Sequence, residues 1–293
     1  MNGLVLVDKP QGFTSHDVVN RWRRLAGIRR AGHLGTLDPL ATGLLVLATG
    51  NATRLAQFYG GAEKTYLAEV TLGLVSNTYD VEGEVKSTGV PAACDAALVE
   101  QALKKFRGRL QQKPPAVSAK KINGVPAYKL ARKNIAVDLE PVEVNISTLE
   151  MQGMEDDRLS LMITCSAGTY VRSLAHDLGQ VLGCGALLSG LRRIRAGEFD
   201  IRQAWTLDQL AALAAAAKLS TAVIPSGSLL PHFPAVYVDA QIELQIRQGR
   251  DFRTSPFVVP PGTARVKAIS GSGDLVAIGE LKIPNVYHPS TVL

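Results

Sequence analysis

The 293-residue chain is long enough for one large domain and a small one, and its 46% hydrophobic and 20% charged residues exclude a disordered protein. Its 32 Lys and Arg outweigh 26 Asp and Glu, and the net charge of +6 suits a polyanionic partner such as RNA. Cys94, Cys165 and Cys184 are odd in number, far apart and without a Cys-x-x-Cys pair, and no basic leader precedes Asp8; the expectation is a soluble cytoplasmic protein without disulfide framework, zinc site or membrane span.

Leu4-Val5-Leu6-Val7 reads as a buried strand closed by the turn signal Lys9-Pro10-Gln11-Gly12. From Ser15, the expected N-cap, Val18, Val19, Trp22, Leu25 and Ala26 recur at helical spacing until Gly27. Arg21, Arg23 and Arg24 fall mainly off that stripe, as a solvated basic face or a contact to RNA backbone. A glycine-punctuated loop from Gly32 to Gly43 follows, in front of the apolar run Leu44 to Ala48, a second buried strand. Gly32, Gly35 and Gly43 can take backbone angles closed to other residues, and Pro39 confines Asp38 to extended or turn geometry, so Asp38 is expected to be held in place. Most Asp-Pro pairs merely start a turn. Here Asp8, Asp17 and Asp38 are the acids between Met1 and Ala62, against Lys9 and six arginines. A carboxylate in such surroundings stays ionised and can act as nucleophile or base, but is a poor start for a metal site.

The run His33 to Gly43, with Val7-Asp8-Lys9-Pro10-Gln11-Gly12 and Thr14-Ser15-His16-Asp17 before it, closely resembles the TruB family of pseudouridine synthases. The resemblance implies isomerisation of uridine 55 in the T-loop of tRNA, by base flipping and a covalent aspartate adduct, without cofactor or metal. Asp38 becomes the catalytic aspartate and His33 the residue that fills the vacated stack. The implied fold class is α/β (α+β): a catalytic domain over residues 1–230 on a mixed, mainly antiparallel sheet, and a small PUA-like β-barrel over 231–293.

Further along, Thr53 to Tyr59 reads as a short helix and Lys64 to Leu72 as a strand with Tyr66, Ala68, Val70 and Leu72 on one face. On pattern alone Tyr66 is a core aromatic. The resemblance instead makes it the tyrosine that stacks on the target base, with Lys64 beside it as a substrate contact; such stacking contributes roughly 1–3 kcal/mol per base. Its phenol can also take part in proton transfer from C5, although a phenol is a weak base at neutral pH. Asp95 is expected to cap a helix through about Phe106. Gln111 to Asn134 carries six Lys and Arg and no acidic residue, and Pro114, Pro115, Gly124 and Pro126 prevent one regular element. By itself this is a basic loop; the resemblance makes it a thumb-like insertion, about 111–134, that closes over RNA phosphates with Lys120, Lys121 and Arg132.

Val142 to Thr148 and Leu159 to Cys165 alternate and predict an antiparallel pair, in which Cys165 is a core residue. Ser166 to Arg172 then leads to a helix from about Ser173 to Leu182, and in an extended lead Tyr170 and Arg172 point to one side. The resemblance assigns Arg172 as the partner of Asp38 and Tyr170 as a second active-site tyrosine. His176-Asp177 comes without a Gly-x-Ser-x-Gly elbow and reads as a structural pair. Leu191 to Phe199 is a basic strand on which, by resemblance, Leu191 faces the other side of the uracil. Thr206 to Leu219 predicts a helix, Pro225 to Pro234 a linker, and the short strands after Ala235 resemble a PUA-type RNA-binding barrel that grips the acceptor side of tRNA. A monomer without a protein partner is expected. Two other functions compete: a tRNA-folding chaperone with incidental catalysis, and a guide-RNA-dependent synthase acting on ribosomal RNA. Asp38→Asn separates the first, and activity without guide RNA the second.

Overall fold

The computed structural model describes residues 1–91, 94–118, 121–122, 125–126 and 139–293, with the backbone alone at 121–122 and 125–126. The expected contacts of Lys120, Arg132 and the Lys121 side chain lie outside the described residues. A ten-stranded sheet forms the body, in the spatial order Ile224–Pro225, Gly3–Lys9, Thr42–Thr49, Ala186–Ala196, Lys64–Leu72, Arg158–Cys165, Val142–Glu155, Gly108–Gln112. Ala31–His33 adds to Thr42–Thr49, and Phe199–Asp200 to Ala186–Ala196. Its strand pairs are antiparallel except one, where Arg192 and Arg193 run parallel to Thr42 and Gly43.

The first strand is apolar from Leu4 to Val7 because it is buried on both faces there. Val5 and Val7 join the core under the helices Ser15–Ala26, Ala96–Leu103, Val171–Leu182 and Leu207–Ala215, whereas Leu4 and Leu6 join a second core with Leu44 and Val46. Tyr66, Ala68, Val70 and Leu72 share the first core, as their spacing predicts. Gly43 marks the parallel crossing. Its φ is +95°, and a Cβ there would stand 2.3 Å from the Arg193 carbonyl oxygen.

Several expected boundaries move. Thr14, not Ser15, caps the first helix: Asp17 reaches back to the Thr14 amide while Thr14 accepts from the Asp17 amide, a reciprocal box that leaves the Ser15 hydroxyl free for the Asp38 loop. Gly32 needs no special angle, because Ala31–His33 is a strand. The helix Val171–Leu182 starts early enough to take in Arg172, so the same-side argument for an extended Tyr170 and Arg172 does not apply. The Ala-rich helix ends at Ala215, where left-handed Ala217 (φ +56°) turns the chain to bury Leu219 and Ala222. The expected linker is built in: Ile224 and Pro225 pair with Leu4 and Gly3, and Leu229 and Leu230 are buried.

A second, five-stranded sheet runs in the order Ala235–Tyr237, Arg265–Ile269, Leu275–Ile283, Val286–Val292, Phe252–Arg253, with the helix Ala240–Arg247 against it. Its Ile269, Leu275 and Ile278 enter the same core as Leu4 and Leu44. Gln57 Nε2 donates to Thr291 Oγ1 at 3.0 Å, and Arg54 Nη1 donates to the Val292 carbonyl, across the junction. Among the described residues no helix is long and apolar enough to cross a membrane.

Candidate active site

The loop between Ala31–His33 and Thr42–Thr49 carries Asp38, and three neighbours fasten it. Arg193, buried on the strand beneath, donates from Nε to Leu44 O (2.7 Å), from Nη2 to Gly35 O (3.0 Å) and from Nη1 to Thr36 O (3.3 Å). From the first helix, the Ser15 hydroxyl donates to Leu37 O (3.0 Å) and accepts from Leu37 N (2.8 Å). From the first strand, Lys9 Nζ donates to Phe13 O (2.6 Å), Pro10 O (3.0 Å) and Pro39 O (3.3 Å). Lys9 is wholly buried, and that burial pushes its ammonium down to about 8. Buried cations persist only when their donors are paired, and here the acceptors are two carbonyls of the turn after the first strand and one, Pro39 O, of the loop, so that Lys9 ties the loop to that turn. The loop position is thus overdetermined.

Asp38 Oδ2 lies 3.0 Å from Arg172 Nε; the acid side chain is 40% exposed, the arginine's 7%. Behind the pair, Arg172 donates from Nη1 to Thr78 O (3.2 Å) and from Nη2 to Val117 O (3.1 Å), and its Nη1 stands 3.5 Å from Asp80 Oδ2. Asp80 is buried, and its Oδ1 accepts from Thr78 Oγ1 (2.5 Å) and Glu82 N (3.0 Å). Two carboxylates on one buried guanidinium leave the group net negative, with Asp38 its solvent-facing member. Glu82 joins their neighbourhood, and desolvation, then Asp80, push its carboxyl up.

Two cavities meet at this pair. One, of about 290 Å³, is lined by Asp38 and Arg172 with Lys64, Tyr66, Tyr170 and Leu191. It lies at the small end of ligand pockets, roughly 300–1,000 Å³, a size for a compact planar group. The other, of about 600 Å³, holds His16 and His33 with Asp80, Glu82 and Ser118. His33 therefore lines the cavity that the two tyrosines do not. Burial, then Arg193, push its imidazole down, and its Nδ1 is buried without a partner. Tyr66 is 9% exposed and burial pushes its phenol up, so it is un-ionised at neutral pH. Lys64 turns its ammonium to the Ala62 and Gly60 carbonyls. Tyr170 is fixed through its backbone: its N donates to Gln112 Oε1 (2.8 Å) and its O accepts from Gln112 Nε2 (3.0 Å). His176 and Asp177 line neither cavity. Cys165 is a core residue whose thiol burial pushes up to about 11. Among the described residues no group of three His, Cys, Asp or Glu side chains is placed to hold a metal.

Sequence reasoning missed Asp80, Glu82, Arg193, Lys9 and Gln112. Asp80 and Glu82 sit in a polar turn that reads like any other. Arg193 looks like one of several strand cations, and only its burial against a loop some 150 residues earlier sets it apart.

The mixed sheet that presents this arginine-paired carboxylate has counterparts among solved structures. Over 98% of this chain and 83% of the other, with TM-score 0.73 and 26% identity, it matches a chain solved as "Crystal Structure of a Cbf5-Nop10-Gar1 Complex". A second match, with TM-score 0.72, 24% identity and coverage of 99% and 84%, comes from "Structure of H/ACA RNP bound to a substrate RNA containing 2'-deoxyuridine" and supports the fold alone. In sequence, the family model for TruB family pseudouridylate synthase (N terminal domain) matches residues 23–171, and that for tRNA pseudouridylate synthase B C-terminal domain matches 172–231. The tRNA pseudouridine synthase B of Solibacter usitatus is 53% identical over 100% of both chains, and that of Stutzerimonas stutzeri 40% identical over 96% of this chain and 92% of its own. The chain belongs to the TruB family of pseudouridylate synthases.

Proposed function

We propose that the chain isomerises uridine 55 in the T-loop of tRNA to pseudouridine, with Asp38 as the group that bonds to the substrate. The observation that carries this reading is the Asp38–Arg172 pair, 3.0 Å apart, with the acid half-exposed at a cavity sized for one base. The target uridine must leave its stack, because neither C1′ nor C6 is reachable within the folded loop. Tyr66 offers a ring face to the extruded uracil and Leu191 an apolar contact opposite it; Tyr170 and Lys64 complete the wall, and His33 fills the vacated place from its own side. Asp38 forms a covalent bond at C1′ or C6, the N1–C1′ bond breaks, the uracil turns and C5 bonds to C1′; the bond to Asp38 then breaks to return the free carboxylate, and the C5 proton is lost while N1 gains one. Nothing is oxidised or reduced, and no atom is added. Tyr66, held un-ionised by burial, contributes stacking and an O–H donor rather than a phenolate base.

The same reading assigns residues 1–230 to catalysis, with Lys120, Lys121 and Arg132 of the basic insertion on RNA phosphates, and 231–293 to a PUA-like RNA-binding unit on the acceptor side. It takes the enzyme as a cytoplasmic monomer. The test uses unmodified tRNA transcript tritiated at uracil C5, without added metal or guide RNA. Wild type is expected to release tritium and Asp38→Asn to release none while still binding tRNA. Release by Asp38→Asn would sink the assignment, and binding without release by wild type would turn the reading to a chaperone or a guide-dependent enzyme.

A further inference from the structure

Five non-glycine residues among those described adopt left-handed backbone: Tyr79, Asp156, Ala217, Leu230 and Asn285. Of these, Tyr79 (φ +64°) directly precedes Asp80, which meets Arg172. An aromatic residue is a poor choice for that conformation, which Gly or Asn adopts with less strain. The ring supplies the reason. It stacks on the His176 imidazole with centroids 3.9 Å apart and planes 11° from parallel. His176 lies one helical turn beyond Arg172 on the helix Val171–Leu182. The turn is tied to the sheet behind it, with Leu188 N donating to Tyr79 O (3.0 Å) and Val81 N to Leu188 O (3.2 Å). Three consecutive residues therefore grip one helix face: Thr78 through its carbonyl on Arg172, Tyr79 through its ring on His176, and Asp80 through its carboxylate on Arg172. Among the described residues the His176 Nδ1 is buried without a hydrogen-bond partner, so no hydrogen bond at that atom sets the plane of the ring.

We propose that Tyr79 and His176 are positioning residues, a ring-on-ring clamp that sets the distance between the 78–80 turn and the helix and so aims the Arg172 guanidinium at Asp38. Backbone strain next to a functional group points to such a role when surrounding contacts hold it in place. The inference rests on the reading that the Asp38–Arg172 pair does the chemistry.

The test measures single-turnover tritium release at saturating enzyme, tRNA affinity and melting temperature for Tyr79→Gly, Tyr79→Phe, His176→Leu and the Tyr79→Gly/His176→Leu double variant, with Asp38→Asn alongside. Tyr79→Gly relieves the backbone and removes the ring; His176→Leu keeps bulk and removes the plane. Each is expected to lower the single-turnover rate about tenfold, with tRNA affinity changed less than about twofold, because the clamp touches no RNA-facing group. Tyr79→Phe, which keeps the ring, should match wild type, and the double variant should be no slower than its slower parent, because both substitutions remove one shared contact. A wild-type rate in Tyr79→Gly, multiplying losses in the double variant, or a loss confined to affinity would each overturn the clamp. Tritium release by Asp38→Asn would instead remove the reading beneath it.

Discussion

Arg172 spreads its guanidinium over four oxygens from three chain segments: Asp38, the Thr78 and Asp80 pair, and Val117. A lysine keeps the charge but offers one nitrogen on a flexible stem, which cannot serve acceptors that lie apart. Arg172→Lys is expected to lower kcat about 100-fold, with tRNA affinity changed only a few-fold, because a misdirected Asp38 affects bond formation more than docking. A matched loss in affinity would show Arg172 to be an RNA contact instead. Lys9 makes a pH prediction. Its pKa drops from the ordinary 10.5 to about 8 by burial. Below about pH 8 folded and unfolded chains both hold the proton, and the desolvation penalty is fully present. Between about pH 8 and 10.5 only the unfolded chain holds it, so this group makes stability rise with pH, by at most about 1.4 kcal/mol per unit. Urea denaturation of wild type and Lys9→Met across that range should show the wild-type advantage growing with pH; a constant difference would mean that Lys9 is not desolvated.

Among the elements, the parallel crossing depends most on one residue. Gly43→Ala combines an unfavourable φ with a Cβ 2.3 Å from the Arg193 carbonyl, and backbone on both sides can yield little. The expected cost is about 3 kcal/mol in a urea titration; a loss under about 1 kcal/mol would mean that the two strands can separate there. Elements whose signal is local could be read from the sequence. Lys64 to Leu72 alternates because one face meets the core, and Leu4 to Val7 is apolar at every position because both faces do. The Asp38 loop was legible through its glycines, its proline and its family resemblance, as was Arg172 as the expected partner. Its position on a helix was not, because a helix start without a side-chain cap leaves little trace in residue type. Asp80 and Arg193 were hidden for another reason. Each is defined by burial against segments roughly 90 to 160 residues away, and no spacing along the chain encodes that meeting.

For the molecule as a whole, the decisive fact is the core shared by the two sheets. Leu4, Leu44 and Val46 pack in one cluster with Ile269, Leu275 and Ile278, so neither sheet buries its apolar face alone. Calorimetry is expected to show one cooperative unfolding transition, with agreement between calorimetric and van't Hoff enthalpies; two resolved transitions would mean that the sheets are separate folding units. The order of strands also bears on how an active molecule comes into being. Thr42–Thr49 and Lys64–Leu72 lie close in sequence, yet Ala186–Ala196 is inserted between them and brings Arg193, with Arg172 arriving on the helix just before it. While the chain is being synthesised, the seam of the sheet stays open until about two thirds of it has been made. Asp38 meanwhile has neither the partner that aims it nor the arginine that fastens its loop. On the proposed reading of Asp38, the carboxylate is made early and armed late: a nascent chain lacks both arginines around it until the middle strand closes the gap.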